Sequence, residues 1–318
     1  MKILNFLAAS LIVATACTSC GNNAPKEEEQ ALPKVYMTTD ISPEGLVKVY
    51  EALGREATGR VAVKISTGEP GGKNYLKPEL IGDLVKKVNG TIVECNTAYD
   101  GGRDTTEKHL RTLSLHGWDM YFDVDLLDAE GPDLEVDIPS GVEIKKNYLG
   151  KNITNYDSAL ILSHFKGHPM GGYGGAIKQL SIGFASSYGK KYIHGVGDTE
   201  NFWGSDHDSF LRAMADAASS VAEMFKGKLA YINVMANMSV DCDCCAKAED
   251  PCMKDIGILA SLDPVAIDCA CLDLVYSSED PGKAHLIKRI ESLNGALTPK
   301  AAEALGMGSS SYELITVE

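Results

Sequence analysis

Several signatures that would settle a function are missing from this chain. It has no GxxxxGK[ST] run, which excludes a Walker-type phosphate cradle. The GxGxxG spacing of a dinucleotide-binding turn is missing as well. No basic run occurs, and the formal net charge is −14. Such an acidic chain is a poor nucleic-acid binder, because phosphate contacts need clustered Lys and Arg. Beyond the N-terminus there is no apolar stretch long enough for a membrane helix, and no internal repeat.

What is present begins with a targeting pattern. Lys2 precedes an apolar core from Ile3 to Ala16, too short to span a bilayer as a mature helix. It ends in Ala14-Thr15-Ala16-Cys17-Thr18-Ser19-Cys20, small residues followed by cysteine, which resembles a bacterial lipobox. Residues 1–20 therefore read as a lipoprotein signal peptide, with Cys17 or Cys20 as the lipidated residue. The alternative is an ordinary cleaved signal peptide. Residues 21–33 are polar and charged and read as a flexible tether. The expected location is extracytoplasmic, in the periplasm or at the cell surface, with the membrane reached through the N-terminal lipid.

From Lys34 the pattern alternates between strand and helix. Ser42-Pro43 and Asp263-Pro264 are helix starts, each an N-cap residue followed by Pro at the first helical position. Gly90 and Gly117 are helix stops. The alternation predicts one α/β domain over residues 34–318: a parallel or mixed sheet flanked by helices in Rossmann-like layers. Residues 118–150 are less regular and predict hairpins or an excursion from the sheet.

One stretch organises the rest. Residues 158–163 are an apolar run of strand length, and His164 to Gly183 then reads HFKGHPMGGYGGAIKQLSIG. The loop at the carboxyl end of a strand is the usual ligand position in α/β proteins. His164, Lys166 and His168 recur every second residue, so an extended backbone points all three the same way. Gly171, Gly172, Gly174 and Gly175 permit close backbone approach. The helix opening at Ala176 offers amides for an anion, with Lys178 beside them. The expected ligand is a small anion.

A second cluster lies further on. Cys242, Cys244, Cys245 and Cys252 follow a predicted strand. Thiolates suit zinc or an Fe–S cluster. The CxCC spacing matches neither a zinc-ribbon pair nor a ferredoxin run, and a disulfide is the rival reading for an exported chain. Asp268 sits inside an apolar helix turn, which calls for a partner. It reads as a hydrogen bond to a metal-bound or substrate-bound group. Arg103, after another strand, is placed to pair an anion.

These segments carry a resemblance. HFKGHPMGGYGGAIKQLSIG, the later CDC, DIGILASLDPVAIDCACLDLV and ECNTAYDGGRDTTEKHLRTLSLHG together resemble the domain-of-unknown-function family 362, often labelled uncharacterised Fe–S centre proteins. The resemblance implies a metal ion or Fe–S cluster, with zinc, iron or nickel not distinguished, and leaves the reaction open. Many members carry ferredoxin-type cysteine repeats after the position of His194; this chain has none. The run GGYGGAIKQLSIG also looks like the lysine-bearing loop of lactate-racemase-type proteins, which carry a nickel-pincer cofactor. That likeness implies a metal-cofactor isomerase or racemase, with Lys178 holding the cofactor and His164 or His168 as acid–base groups. A third reading is a non-catalytic lipoprotein that binds a small anion.

Overall fold

Sequence patterning gives the sheet its interior. In the strand Ser158–His164 all seven residues are buried, because both faces are covered. Ala159 and Ile161 pack into one core, Leu160 and Leu162 into the other. A strand buried on both sides reads as a continuous apolar run, not an alternation. Burying each such aliphatic side chain contributes about 1.5–3 kcal/mol.

The structure is a computed structural model that describes residues 31–318. Cys17, Cys20, the expected signal peptide and most of the tether lie outside the described residues. The chain opens with β1 (Lys34–Thr38), α1 (Pro43–Glu51), β2 (Val61–Lys64), α2 (Pro78–Lys87), β3 (Gly90–Glu94) and α3 (Thr106–Leu115). Then come β4 (Val124–Leu126), β5 (Leu134–Asp137), β6 (Lys146–Leu149), β7 (Ser158–His164), β8 (Lys166–His168) and β9 (Gly172–Gly174). Next are α4 (Ala176–Ser181), α5 (Ser187–His194), α6 (His207–Met224), β10 (Leu229–Met235) and β11 (Gly257–Ser261). The chain closes with α7 (Pro264–Ser277), α8 (Lys283–Ser292), α9 (Leu297–Ala304) and β12 (Glu313–Thr316).

Eight of these strands form one sheet in the order β12-β1-β11-β10-β7-β2-β3-β4. All are parallel except β11, which runs against both neighbours. The fold is thus α/β with a mostly parallel mixed sheet between helical layers. Since β2, β3, β7 and β10 are parallel neighbours, their carboxyl ends open on one edge.

Local signals explain the elements. Ser42 caps α1 by accepting from Gly45 N, and Asp263 caps α7 by accepting from Val265 N and Ala266 N. The irregular stretch resolves into β4, which joins the sheet, and the antiparallel pair β5–β6. Two helices carry weaker signals: α5 has Gly189 in its interior, and α9 has Pro299 in its first turn. Gly189 is there because a Cβ would lie 2.0 Å from the Tyr148 carbonyl oxygen.

Candidate metal and anion site

The glycine stretch is a β-hairpin rather than an open loop. β8 pairs antiparallel with β9, His168 opposite Gly172. Gly172 has φ +77°, a turn position that disfavours a side chain. At Gly167 a Cβ would meet the Val240 carbonyl oxygen at 2.3 Å, so only glycine lets the hairpin lie on the cysteine loop. Gly167 N donates to the Ser239 carbonyl there, at 2.8 Å. Gly171, Gly172, Gly174 and Gly175 therefore shape the backbone and are absent from the cavity wall.

The loops after β2, β3, β7 and β10 enclose a cavity of about 270 Å³. Lys166, His168, Lys178, Cys242, Cys244 and Cys245 form one part of its wall. Another part is Lys64, Glu94, Cys95, Arg103, Lys190 and His194, with Trp203, Met170 and Ile182 also lining it.

Asp243 anchors the cysteine loop to the hairpin. Its carboxylate lies 2.9 Å from Lys166 Nζ and 2.9 Å from His164 Nδ1. Burial alone would raise its pKa; the charges of His164 and Lys166 reverse this and hold it well below the usual carboxylate range. The other nitrogen of His164, Nε2, faces the Ala236 carbonyl at 2.6 Å. Both ring nitrogens are therefore occupied, and His164 is absent from the cavity wall. The sequence assigned it an acid–base role; its geometry makes it a strut that orients Asp243.

His168 is placed differently. Its Nδ1 accepts from Met170 N at 3.1 Å and Gly171 N at 2.8 Å. Burial, with the charge of Lys178, lowers its pKa to about 4, so the ring is neutral at pH 7. With two N–H groups aimed at Nδ1, the ring proton sits on Nε2. That nitrogen is 3.8 Å from Cys244 Sγ. Ligand atoms of His168, Cys242 and Cys244 all lie within 4.8 Å of one another, a group that could hold a metal ion. One nitrogen and two sulfurs suit a borderline or soft cation.

Without a cation Cys242 and Cys244 are thiols rather than thiolates. The hydrogen bond with Cys244 and burial raise the Cys242 pKa. For Cys244 the bond to Cys242 pulls downward, but Cys245 and burial push it up to about 11. Cys245 lines the cavity, and its amide closes a turn onto the Cys242 carbonyl at 2.9 Å. Cys252 is not in the group: its thiol faces the Met238 carbonyl at 3.3 Å. Its separation leaves the four-thiolate set of an Fe–S cluster incomplete. All seven cysteines among the described residues are free thiols.

Asp268 also departs from its expected role. It is fully buried and accepts from Ala176 N (2.7 Å), Ile177 N (3.1 Å), Asn233 Nδ2 (2.8 Å) and the Tyr173 hydroxyl (3.2 Å). Burial raises its pKa to about 6 against these bonds. It is absent from the cavity wall and acts as the cap of α4. The amides expected to bind an external anion are thus already satisfied. At Gly175 a Cβ would meet Asp268 Oδ1 at 2.4 Å. Lys178, one turn into α4, reaches the cavity with no hydrogen-bond or ion-pair partner among the described residues.

Across the cavity the ions are tightly paired. Arg103 Nε lies 2.8 Å from Glu69 and Nη1 lies 3.2 Å from Glu94, so the expected external anion is replaced by two internal carboxylates. Lys64 is 3.6 Å from Glu94. Burial would raise the Glu94 pKa, but Lys64 and Arg103 bring it down to about 2. The Tyr99 hydroxyl lies 3.0 Å from Glu69 Oε1 and 3.3 Å from the Cys244 carbonyl oxygen, which ties this network to the cysteine loop.

Lys190 and His194 are among the wall residues to which sequence reading assigned no role. His194 Nδ1 donates to the Lys190 carbonyl at 2.7 Å, which leaves Nε2 bare. Phe210 stacks on its ring at 4.8 Å. Burial lowers its pKa to about 4, so it too is neutral at pH 7. No spacing rule marks either residue, because both come from the helix hidden by Gly189.

No curated protein matches the chain. Among solved structures it is similar to the lactate racemase apoprotein from Thermoanaerobacterium thermosaccharolyticum, at 20% identity and a TM-score of 0.37, over 67% of this chain and 52% of that one. It is also similar to a structural-genomics target protein from Thermotoga maritima, at 11% identity and a TM-score of 0.39, over 82% of this chain and 58% of that one. The chain thus spans little more than half the length of each. A family model matches residues 61–273, the segment that holds the hairpin, the cysteine loop and Asp268, and the chain therefore belongs to the family described as Domain of unknown function (DUF362).

Proposed function

We propose that this protein binds a soft or borderline divalent metal at Cys242 and Cys244, beside His168, and holds a small anionic ligand next to it with Lys178. The observation that carries the reading is the convergence of these three donors on a cavity with an unpaired lysine in its wall. Zinc, iron and nickel are all compatible with nitrogen and sulfur donors. A bound metal would keep the thiolates ionised and polarise a ligand group. The chain's own residues do the rest. Asp243, fixed by His164 and Lys166, orients the cysteine loop. Lys178 neutralises the ligand, and Nε2–H of His168 donates to sulfur or to the ligand. The N-terminal pattern supports export and lipid attachment at Cys17 or Cys20.

A second reading, a proton-moving isomerase or racemase, is favoured by one further observation. His168 carries its proton on the cavity side, while His194 presents a bare nitrogen to the same cavity. One neutral imidazole is set up as acid and the other as base. In that reading Lys178 holds a metal-bearing cofactor covalently, and mass spectrometry of the Lys178 peptide tests for the adduct. A lipoprotein that only binds an anion would carry neither metal nor adduct.

The deciding experiment is anaerobic purification followed by elemental analysis. The expected result is stoichiometric metal in wild type and in Cys252→Ser, and its loss in Cys242→Ser and Cys244→Ser. Metal-free wild type, or equal metal in all three variants, would overturn the metal site.

A further inference from the structure

We infer that the cavity takes a small organic dianion of the dicarboxylate type, one charged end at Lys178 beside the thiols and the other at Lys190. This rests on the anion site proposed above and names its ligand class.

The argument is a charge inventory. The wall contains five basic side chains: Lys64, Arg103, Lys166, Lys178 and Lys190. Three of them have carboxylate partners, in Glu94, Glu69 and Asp243. Among the described residues Lys178 and Lys190 have none. Lys190 is only 7% exposed, and its Nζ donates a single hydrogen bond, to the Ala185 carbonyl at 2.5 Å. An ammonium has three donors, so two remain. Burying such a charge without a counter-ion is costly, and a ligand carboxylate would offset that cost. A metal does not use these lysines up, because two thiolate charges already balance a divalent ion.

The two ammonium groups occupy different parts of the cavity. Lys178 reaches from α4 with its Cδ beside Gly174 and Lys166, while Lys190 reaches from α5 and seats its Nζ on the Ala185 carbonyl, next to Phe184, whose carbonyl takes the Cys95 thiol. His194 lines the same cavity as both. Two separated charges fit a ligand with acid groups at both ends better than one compact doubly charged group. The volume, about 270 Å³, lies just below the usual range for drug-sized ligands and suits a metabolite of a few carbons. Met170, Ile182 and Trp203 give the carbon chain an apolar wall. An amine on the ligand would find no free acceptor in Glu94, which already receives Lys64, Arg103 and Thr67.

Calorimetry on the full purified protein at matched ionic strength, with succinate, butyrate and inorganic phosphate as probes, tests this. Succinate should bind at least tenfold tighter than butyrate or phosphate. Lys190→Met should abolish that preference while butyrate stays within twofold, and Lys190→Arg should retain it. Should Lys190→Met fail to fold, Lys178→Met decides, with succinate and butyrate both weakened tenfold or more. Equal binding of succinate and butyrate, phosphate preferred over succinate, an unchanged preference in Lys190→Met, or no binding of any probe would each overturn the inference. Metal content of the same samples is read separately, so a missing metal counts against the metal site and leaves the ligand result standing.

Discussion

Nε2 of His168 lies 3.8 Å from Sγ of Cys244, and the proton between them belongs to the imidazole. This relationship separates two kinds of metal site. If His168 stays a donor, two thiols bind the ion. If its Nε2 becomes a ligand, the ring must lose its proton or the hairpin tip must release Nδ1.

Proton release counts the thiols that ionise on metal binding. Both thiols have raised pKa values and are protonated near neutral pH. Metal binding expels both protons, so affinity should rise about a hundredfold per pH unit between pH 6 and 8. Zinc titrations at several pH values measure the slope. A slope near two is the loss of the two thiol protons, with His168 either a donor or a ligand through its other tautomer; a slope near one would leave one thiol outside the ligand set.

Asp268 should control the site from outside it. Asp268→Ala strands two amides, an amide side chain and a hydroxyl in a buried place, and we expect a loss of about 3 kcal/mol. Faster hydrogen exchange should appear in α4, and Lys178-dependent binding should weaken with it. The pH dependence has a defined sign. The folded pKa, about 6, is above the ordinary 3.8, so the folded state holds the proton more tightly. This contribution to stability is full below pH 3.8 and is lost as pH rises through 6. Urea unfolding of wild type and Asp268→Asn should therefore give a difference that shrinks over this window. A constant difference would mean Asp268 does not titrate there.

Lipid attachment gives a prediction for the cell. Full-length wild type should fractionate with membranes, and the Cys17→Ala, Cys20→Ala double variant should not. If the double variant stays with membranes, these residues are not the anchor.

Much of the frame was legible because its signals are local. The apolar run at residues 158–163, the proline-marked helix starts at Pro43 and Pro264 and the glycine stop at Gly117 each act within a few residues, whereas after α2 the left-handed turn falls on Asn89 and the expected stop Gly90 opens β3. The pairings that make the site are not local. His168 and Cys244 are 76 positions apart, and Glu69 meets Arg103 across 34. No spacing rule connects such residues; only the sheet order does. Asp268 was marked as a polar residue in an apolar helix turn and His164 as one of three residues on one face, but sequence cannot tell a residue that touches a ligand from one that holds such a residue still. The same limit made Gly171–Gly175 look like an anion cradle when Asp268 already fills it.

The single reversed strand has a consequence for how this chemistry can change. Because β11 runs against β10, residues 236–256 leave and rejoin the sheet on the same edge, from Met235 to its ladder partner Gly257. Two parallel strands would have needed a crossover to the far side. The cysteine segment is therefore an insertion held at both ends one strand spacing apart. Its length can vary for a small closure entropy, on the order of 0.6 kcal/mol per doubling. The donor set is thus an exchangeable part: cysteines can be added, lost or respaced there while α4 and α5 keep Lys178, Lys190 and His194 where they are.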